Sequence, residues 1–166
     1  MMQRWLAIAA VIVVVDQAVK YAVVQYFAAH PPVAVTSFFN LVLVYNTGAA
    51  FSFLADAAGW QRGFFIAIAL VASAWIVYLL RKYPRPGLFT VALTLVLAGA
   101  VGNVIDRILI GSVVDFLDFH AFGYHWPAFN VADSAITCGA VLLLWDAFRP
   151  QRQREEQGNR RAGGNR

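Results

Sequence analysis

The chain has 166 residues, of which 60% are apolar and 13% charged, with a mean hydropathy of +0.62 and a formal net charge of +4. Soluble domains are about 45–50% apolar and about 25% charged, so this composition excludes an ordinary soluble enzyme and points to one integral membrane domain. The single cysteine, Cys138, excludes a disulfide framework and a thiolate metal cluster.

Four windows approach the run of about 20 apolar residues that crosses a bilayer. They are Trp5 to about Phe27, Phe64–Leu80, Leu88–Ile105 and Val131–Phe148. The first has the Arg4 and apolar run of a signal peptide. It lacks a small-x-small cleavage site, however, and Asp16 and Lys20 interrupt it, so an uncleaved span is expected. Residues 35–55, VTSFFNLVLVYNTGAAFSFLA, have strand-like content around an NTG turn. The second span is free of charge, with Trp75 and Tyr78 at one end in the manner of an aromatic belt. In the third, Gly99 and Gly102 with Ala98 and Ala100 permit close helix packing.

Basic residues set the orientation. Arg4, Arg81, Lys82, Arg85 and the tail from Arg149, which holds six of the thirteen Lys and Arg, fall on one side. Both termini are therefore expected in the cytoplasm, with loops of about 28–61 and 107–129 facing outward. The basic tail, 150–166, is expected to be disordered. Beside a membrane it signals topology or contact with anionic lipid headgroups and requires no nucleic-acid partner.

With that topology, polar residues from three segments gather at the outer face. Asn46 lies in one outer loop and Asp115 in the other. Asn103, Asp106 and Arg107 end the third span, and Asn130 and Asp133 begin the fourth. Each has a plain structural explanation. Asn130 and Asp133 have the spacing of a capping box, Arg107 suits a helix C-terminus, and Asp106 can pair with Arg107 at the interface. Asp115, inside the apolar run VVDFLDF, is harder to explain this way. Asp16 and Lys20, four apart in the first span, suggest an ion pair on one helix face, with Lys20 snorkelling outward. Asp118, His120 and His125 lack regular metal-ligand spacing, and Asp56 and Asp146 fit interfacial positions.

Two carboxylates held close share a proton and separate in pKa, giving a base to activate water and an acid to protonate a leaving amine. Asp115 and Asp133 are the pair placed for this, and a helix N-terminus would help keep Asp133 ionised. A transporter, which needs polar residues throughout the membrane depth, and a structural membrane subunit remain alternatives on these residues alone.

The blocks DQAVK (16–20), YNTGAAFS (45–52), AGAVGNVIDR (98–107), VVDF (113–116) and HWPAFNVADS (125–134) together resemble the lipoprotein signal peptidases, the bacterial type II signal peptidases. The resemblance spans nearly everything before the tail. Departures at Ala98, where many members have Gly, and at Val19, where many have a hydroxyl residue, touch no proposed catalytic group.

The resemblance implies an all-α integral membrane protein of four helices, with a small outward-facing β-like cradle and a short surface helix. The activity it implies is an aspartyl endopeptidase of the bacterial inner membrane. Such an enzyme removes the signal peptide from diacylglyceryl-modified prolipoproteins just before the modified cysteine, at the outer face. Asp115 and Asp133 match the catalytic aspartates, and Asn46, Asn103, Arg107 and Asn130 match substrate-site positions. Asp106, Gly48, Asp16 and Lys20 fall at supporting positions. No metal or organic cofactor is required. The expected partners are the prolipoprotein substrate and membrane lipids, and a monomer is expected.

Overall fold

Helix α3, Leu88–Leu109, is the axis of the molecule: 61% of its most apolar window is buried within the protein, against 11–17% for the other three long helices. The computed structural model describes residues 2–48, 59–84 and 86–148. Around α3 pack α1 (Met2–Phe27), α2 (Trp60–Lys82) and α4 (Val131–Phe148). All four helices are long and apolar enough to cross a membrane. Each observed helix contains its sequence-predicted window; α1, α2 and α3 extend a few residues beyond, and α4 has the expected bounds.

The outer helices expose rows of large apolar residues, such as Val11, Val14, Ile68, Val71, Val141 and Leu144. In water such patches would be a liability, whereas in hydrocarbon they meet their own solvent. The buried core is correspondingly narrow, built on Ala9, Ile76, Leu80, Leu93, Leu97 and Ala98. Helix α4 approaches α3 closely because glycines line the contact. A Cβ on Gly99 would collide with the Ala132 carbonyl oxygen, and one on Gly139 would sit 2.8 Å from the Ala92 carbonyl oxygen. This is the small-residue packing that the third span suggested.

Between the helices the chain forms an antiparallel sheet of four strands in the order β1 (Val33–Thr36), β2 (Phe39–Asn46), β3 (Val113–Ala121), β4 (Tyr124–His125). Register places Val44 opposite Asp115 and Asn46 opposite Val113. The bundle is helical as expected, but the β element is larger than residues 35–55 alone: the run around Asp115 supplies its longest strand. Both strands β2 and β3 alternate too little to announce a face, which is why the pairing was not legible. The part of segment 35–55 beyond Gly48 lies outside the described residues, as do Asp56, Arg85 and the tail, and no short surface helix occurs among the described residues.

Connectivity puts the end of α1, the end of α3, the start of α4 and the sheet at one end of the bundle. Arg4, Arg81 and Lys82 belong to the other end.

Candidate active site

Asn130 is the first organiser of the polar end. It is fully buried immediately before α4, and its Oδ1 accepts the Asp133 N–H at 2.8 Å, the N-cap bond that its residue type predicts. A full capping box would turn the Asp133 carboxylate back on the Asn130 N–H. Instead Asp133 Oδ1 accepts a hydrogen bond from Asn103 Nδ2 at 2.7 Å, across to α3. The cap therefore fixes the backbone of Asp133 and leaves its carboxylate turned toward the interior of the site.

The same asparagine reaches the second carboxylate. Asn130 Nδ2 donates to Asp115 Oδ1 at 2.7 Å and to the Val114 carbonyl at 3.2 Å. Asn46 Nδ2, on β2, donates to the other oxygen, Asp115 Oδ2, at 3.0 Å. Backbone bonds hold the frame: Phe129 receives the Phe116 and Leu117 N–H groups and donates to the Leu117 carbonyl, stitching the approach to α4 onto β3. Asp115 is 1% exposed. Burial raises its carboxyl to about 7, the Asp133 carboxylate adds to the rise, and the two amides and the Lys20 ammonium oppose it.

Beside this pair lies a charged cluster of different character. Lys20 Nζ sits 2.9 Å from Asp16 Oδ2 and 2.9 Å from Asp106 Oδ2, and donates to Asn103 Oδ1 at 3.2 Å. The expected Asp16–Lys20 pair is present, but the outward snorkel is not: Lys20 is 3% exposed, because two buried carboxylates hold its head inside the bundle. Asp106 accordingly pairs with Lys20, not with Arg107 as its position beside that residue suggested. Each carboxylate also closes a backbone gap. Asp16 Oδ1 accepts the Ala132 N–H at 2.8 Å in the first turn of α4, and Asp106 Oδ2 accepts the Val114 N–H at 3.1 Å. Gly102 makes room, since a Cβ there would stand 2.8 Å from Asp16 Oδ2.

Gln17 was not singled out from the sequence. Its Nε2 donates to Asp106 Oδ1 at 2.8 Å, and to Asp16 Oδ2 and the Gly102 carbonyl at 3.2 Å each. A second polar residue beside an acid within an apolar span was the available signal.

Arg107 leans over the opposite flank. Its Nη2 donates to the Gly48 carbonyl at 2.8 Å, and its guanidinium lies 5.0 Å from the centroid of the Phe65 ring. Gly48 N–H in turn donates to Asn46 Oδ1 at 3.0 Å, so Arg107 and Asn46 grip the same turn. Arg107 Nε is buried and has no hydrogen-bond partner among the described residues.

Asp118, His120 and His125 form a separate group on the sheet, with Asp118 buried and His125 exposed. His125 Nδ1 lies 2.8 Å from Asp118 Oδ1, and the two imidazoles stack at 4.8 Å. Burial opposes ionisation of Asp118, but hydrogen bonds from Asn40 and His125 outweigh it and hold its carboxyl below the ordinary value. Among the described residues no group of three His, Cys, Asp or Glu side chains is arranged to hold a metal ion.

All ten residues singled out for the site therefore lie at one end of the bundle, linked through Asn103 and Asn130. Four membrane-length helices with two asparagine-linked aspartates at one end fit, as a class, an aspartyl peptidase embedded in the membrane. The sequence model described as "Signal peptidase (SPase) II" matches residues 8–149. The chain is 58% identical over 149 residues to the lipoprotein signal peptidase of Cupriavidus necator, covering 90% of this chain and 85% of that relative. It is 57% identical over 148 residues to that of a Janthinobacterium species, covering 89% and 90%. A solved bacterial membrane enzyme superposes with a TM-score of 0.75 at 36% identity, over 89% of this chain and 94% of that one. The chain belongs to the signal peptidase II family.

Proposed function

We propose that this membrane protein cleaves the signal peptide from lipid-modified prolipoproteins immediately before the modified cysteine, using Asp115 and Asp133 as an acid–base pair. The single observation that carries the proposal is the bridge between them: one buried asparagine, Asn130, donates to the Asp115 carboxyl and accepts the Asp133 N–H. Two carboxyls on separate elements are thereby held in fixed relation with neutral amides around them and, among the described residues, no ion pair to either. Among the described residues the buried charged groups, Asp16, Lys20, Asp106, Asp115 and Asp118, all belong to this end of the bundle. A transport path would need them along its depth.

In the reaction, Asp133 takes a proton from water as the water oxygen attacks the scissile carbonyl carbon. Asp115, raised to about 7 and so protonated in about half of the molecules near pH 7 and in most below it, gives its proton to the carbonyl oxygen. Collapse of the tetrahedral intermediate breaks the C–N bond: the proton held by Asp133 passes to the departing amine, and the hydroxyl formed from the carbonyl oxygen returns its proton to Asp115 as the C=O bond re-forms. The buried, unspent Nε of Arg107 supplies a donor for a substrate carbonyl, and Asn46, Asn103 and Asn130 bind backbone while orienting the acids. Gly48, Asp16, Lys20 and Asp106 support this arrangement without touching the reacting atoms.

The substrate helix enters sideways from lipid with its acyl chains left in the bilayer. Both termini and the basic tail 150–166 lie in the cytoplasm of a bacterium, residues 1–149 form one peptidase domain, and the sheet faces outward as a cradle with a short helix beside it. The enzyme works as a monomer in contact with membrane lipids. Purified protein reconstituted with a diacylglyceryl-modified prolipoprotein is expected to release the signal peptide with its cut just before the modified cysteine, with or without a chelator. Substantial cleavage by Asp115→Asn or Asp133→Asn would overturn the acid–base assignment.

A further inference from the structure

Strands β3 and β4 are joined by Phe122 and Gly123, with φ of 52° and 80°. Ala121 pairs with Tyr124 across them, so this is a two-residue hairpin with both central positions in the left-handed region. Such a turn is usually made by Asn-Gly or Asp-Gly. A bulky L-residue is strained in the first position. Phe122 is also 99% exposed, so no contact within the described protein offsets either that strain or the exposure of its ring. Its neighbours share the pattern: Tyr124 is 82% exposed and Trp126 59%. The segment from His120 to Trp126 contains no Asp, Glu, Lys or Arg.

The hairpin is rooted in the membrane-spanning part. Phe119 stacks on Phe129 with centroids 5.9 Å apart, and Phe129 directly precedes Asn130 and the first turn of α4. The aromatic surface thus continues the apolar surface of a spanning helix beyond its end. We propose that Phe122, Tyr124 and Trp126 seat the β3–β4 hairpin in the headgroup zone of the bilayer that the helices cross. Tyr and Trp favour that level because each ring has an apolar body and a polar tip. The hairpin stops there, since β4 is the edge of its sheet and an open edge is not tolerated in hydrocarbon. The lipid contact then fixes the height of β3, and with it Asp115, relative to the bilayer.

The test replaces the only cysteine (Cys138→Ser), places a spin label at Tyr124→Cys, and reconstitutes the full chain in phosphatidylcholine–phosphatidylglycerol vesicles. Collision with oxygen is expected to exceed collision with a water-soluble nickel chelate. Adding Phe122→Asn, which suits the turn better and so does not endanger folding, is expected to shift the label toward the nickel reagent while thermal stability in detergent holds or rises. A label that favours nickel from the outset, or that Phe122→Asn does not move, overturns the proposal. A label shielded from both reagents also overturns it, because protein and not lipid then covers the hairpin.

Discussion

Two pairs of carboxylates occupy the same end of the bundle in opposite company. Asp16 and Asp106 share one ammonium, Lys20, at 2.9 Å each, and both also hold a backbone N–H from a neighbouring element. Among the described residues Asp115 and Asp133 form no ion pair and are met by the amides of Asn46, Asn130 and Asn103. The first pair is neutralised where it stands, and its oxygens are committed to joining α1, α3, α4 and β3. The second pair is the one to which the proposed function assigns the proton transfers of acid–base chemistry. Asn103 joins the two, since its Oδ1 accepts from Lys20 while its Nδ2 donates to Asp133. A buried ion pair is thus placed as a brace, and beside it stands the amide-lined pair that the proposed function uses as acid and base.

The sharpest way to break this contrast is to neutralise the titrating pair. Asp133→Asn or Asp115→Asn is expected to lower the cleavage rate by about 10²–10⁴-fold or more while the protein still inserts and folds, as measured by turnover of a lipid-modified substrate. The pH profile sharpens it further. Because Asp115 is raised from 3.8 to about 7, its protonated form is the one required, and cleavage should fall about tenfold per pH unit above that value. The stability it contributes follows the same sign: fully present below about pH 4, declining as pH rises, and gone once pH has passed through about 7. Asp115→Asn should remove that slope from a thermal-unfolding series.

The brace predicts a different loss. Lys20→Met strands two buried carboxylates and is expected to cost about 3–5 kcal/mol of stability. Adding Asp16→Asn and Asp106→Asn to it should restore much of the melting temperature, and failure to do so would mean the cluster is not a compensated unit. Gly99→Ala should cost about 1–3 kcal/mol through its clash with the Ala132 carbonyl, and should lower activity by displacing Asp133. Gly63→Ala, with open space around it, serves as the neutral control. The smallest effect is expected at Asp118→Asn: its partner His125 is 57% exposed and the new amide oxygen can still accept from Asn40, so stability should change by about 1 kcal/mol and turnover not at all.

Phe122 marks a limit of what local rules convey. The dipeptide Phe-Gly gives a weak turn signal, because Asn or Asp is the residue expected before the Gly, and the strand pairing that demands a left-handed Phe is set from outside the turn. Lys20 marks another. Its spacing from Asp16 was enough to predict an ion pair, yet whether the head turned outward or inward depended on Asp106, eighty-six positions further along the chain.

By itself the sequence determined the four spanning helices, because hydrophobic length is a local property that lipid enforces residue by residue. It also determined the Asn130 cap and the gathering of polar residues at one end, since alternating spans carry each loop to a known side. Tertiary structure alone decided which carboxylates share a cation and which share amides. Those outcomes turn on contacts of about 3 Å between α1, α3, β3 and α4, made possible by glycines whose only visible trait in the sequence is their small size. Hydrogen bonding is short-ranged and directional, so a few ångströms of helix approach separate a structural acid from a reactive one.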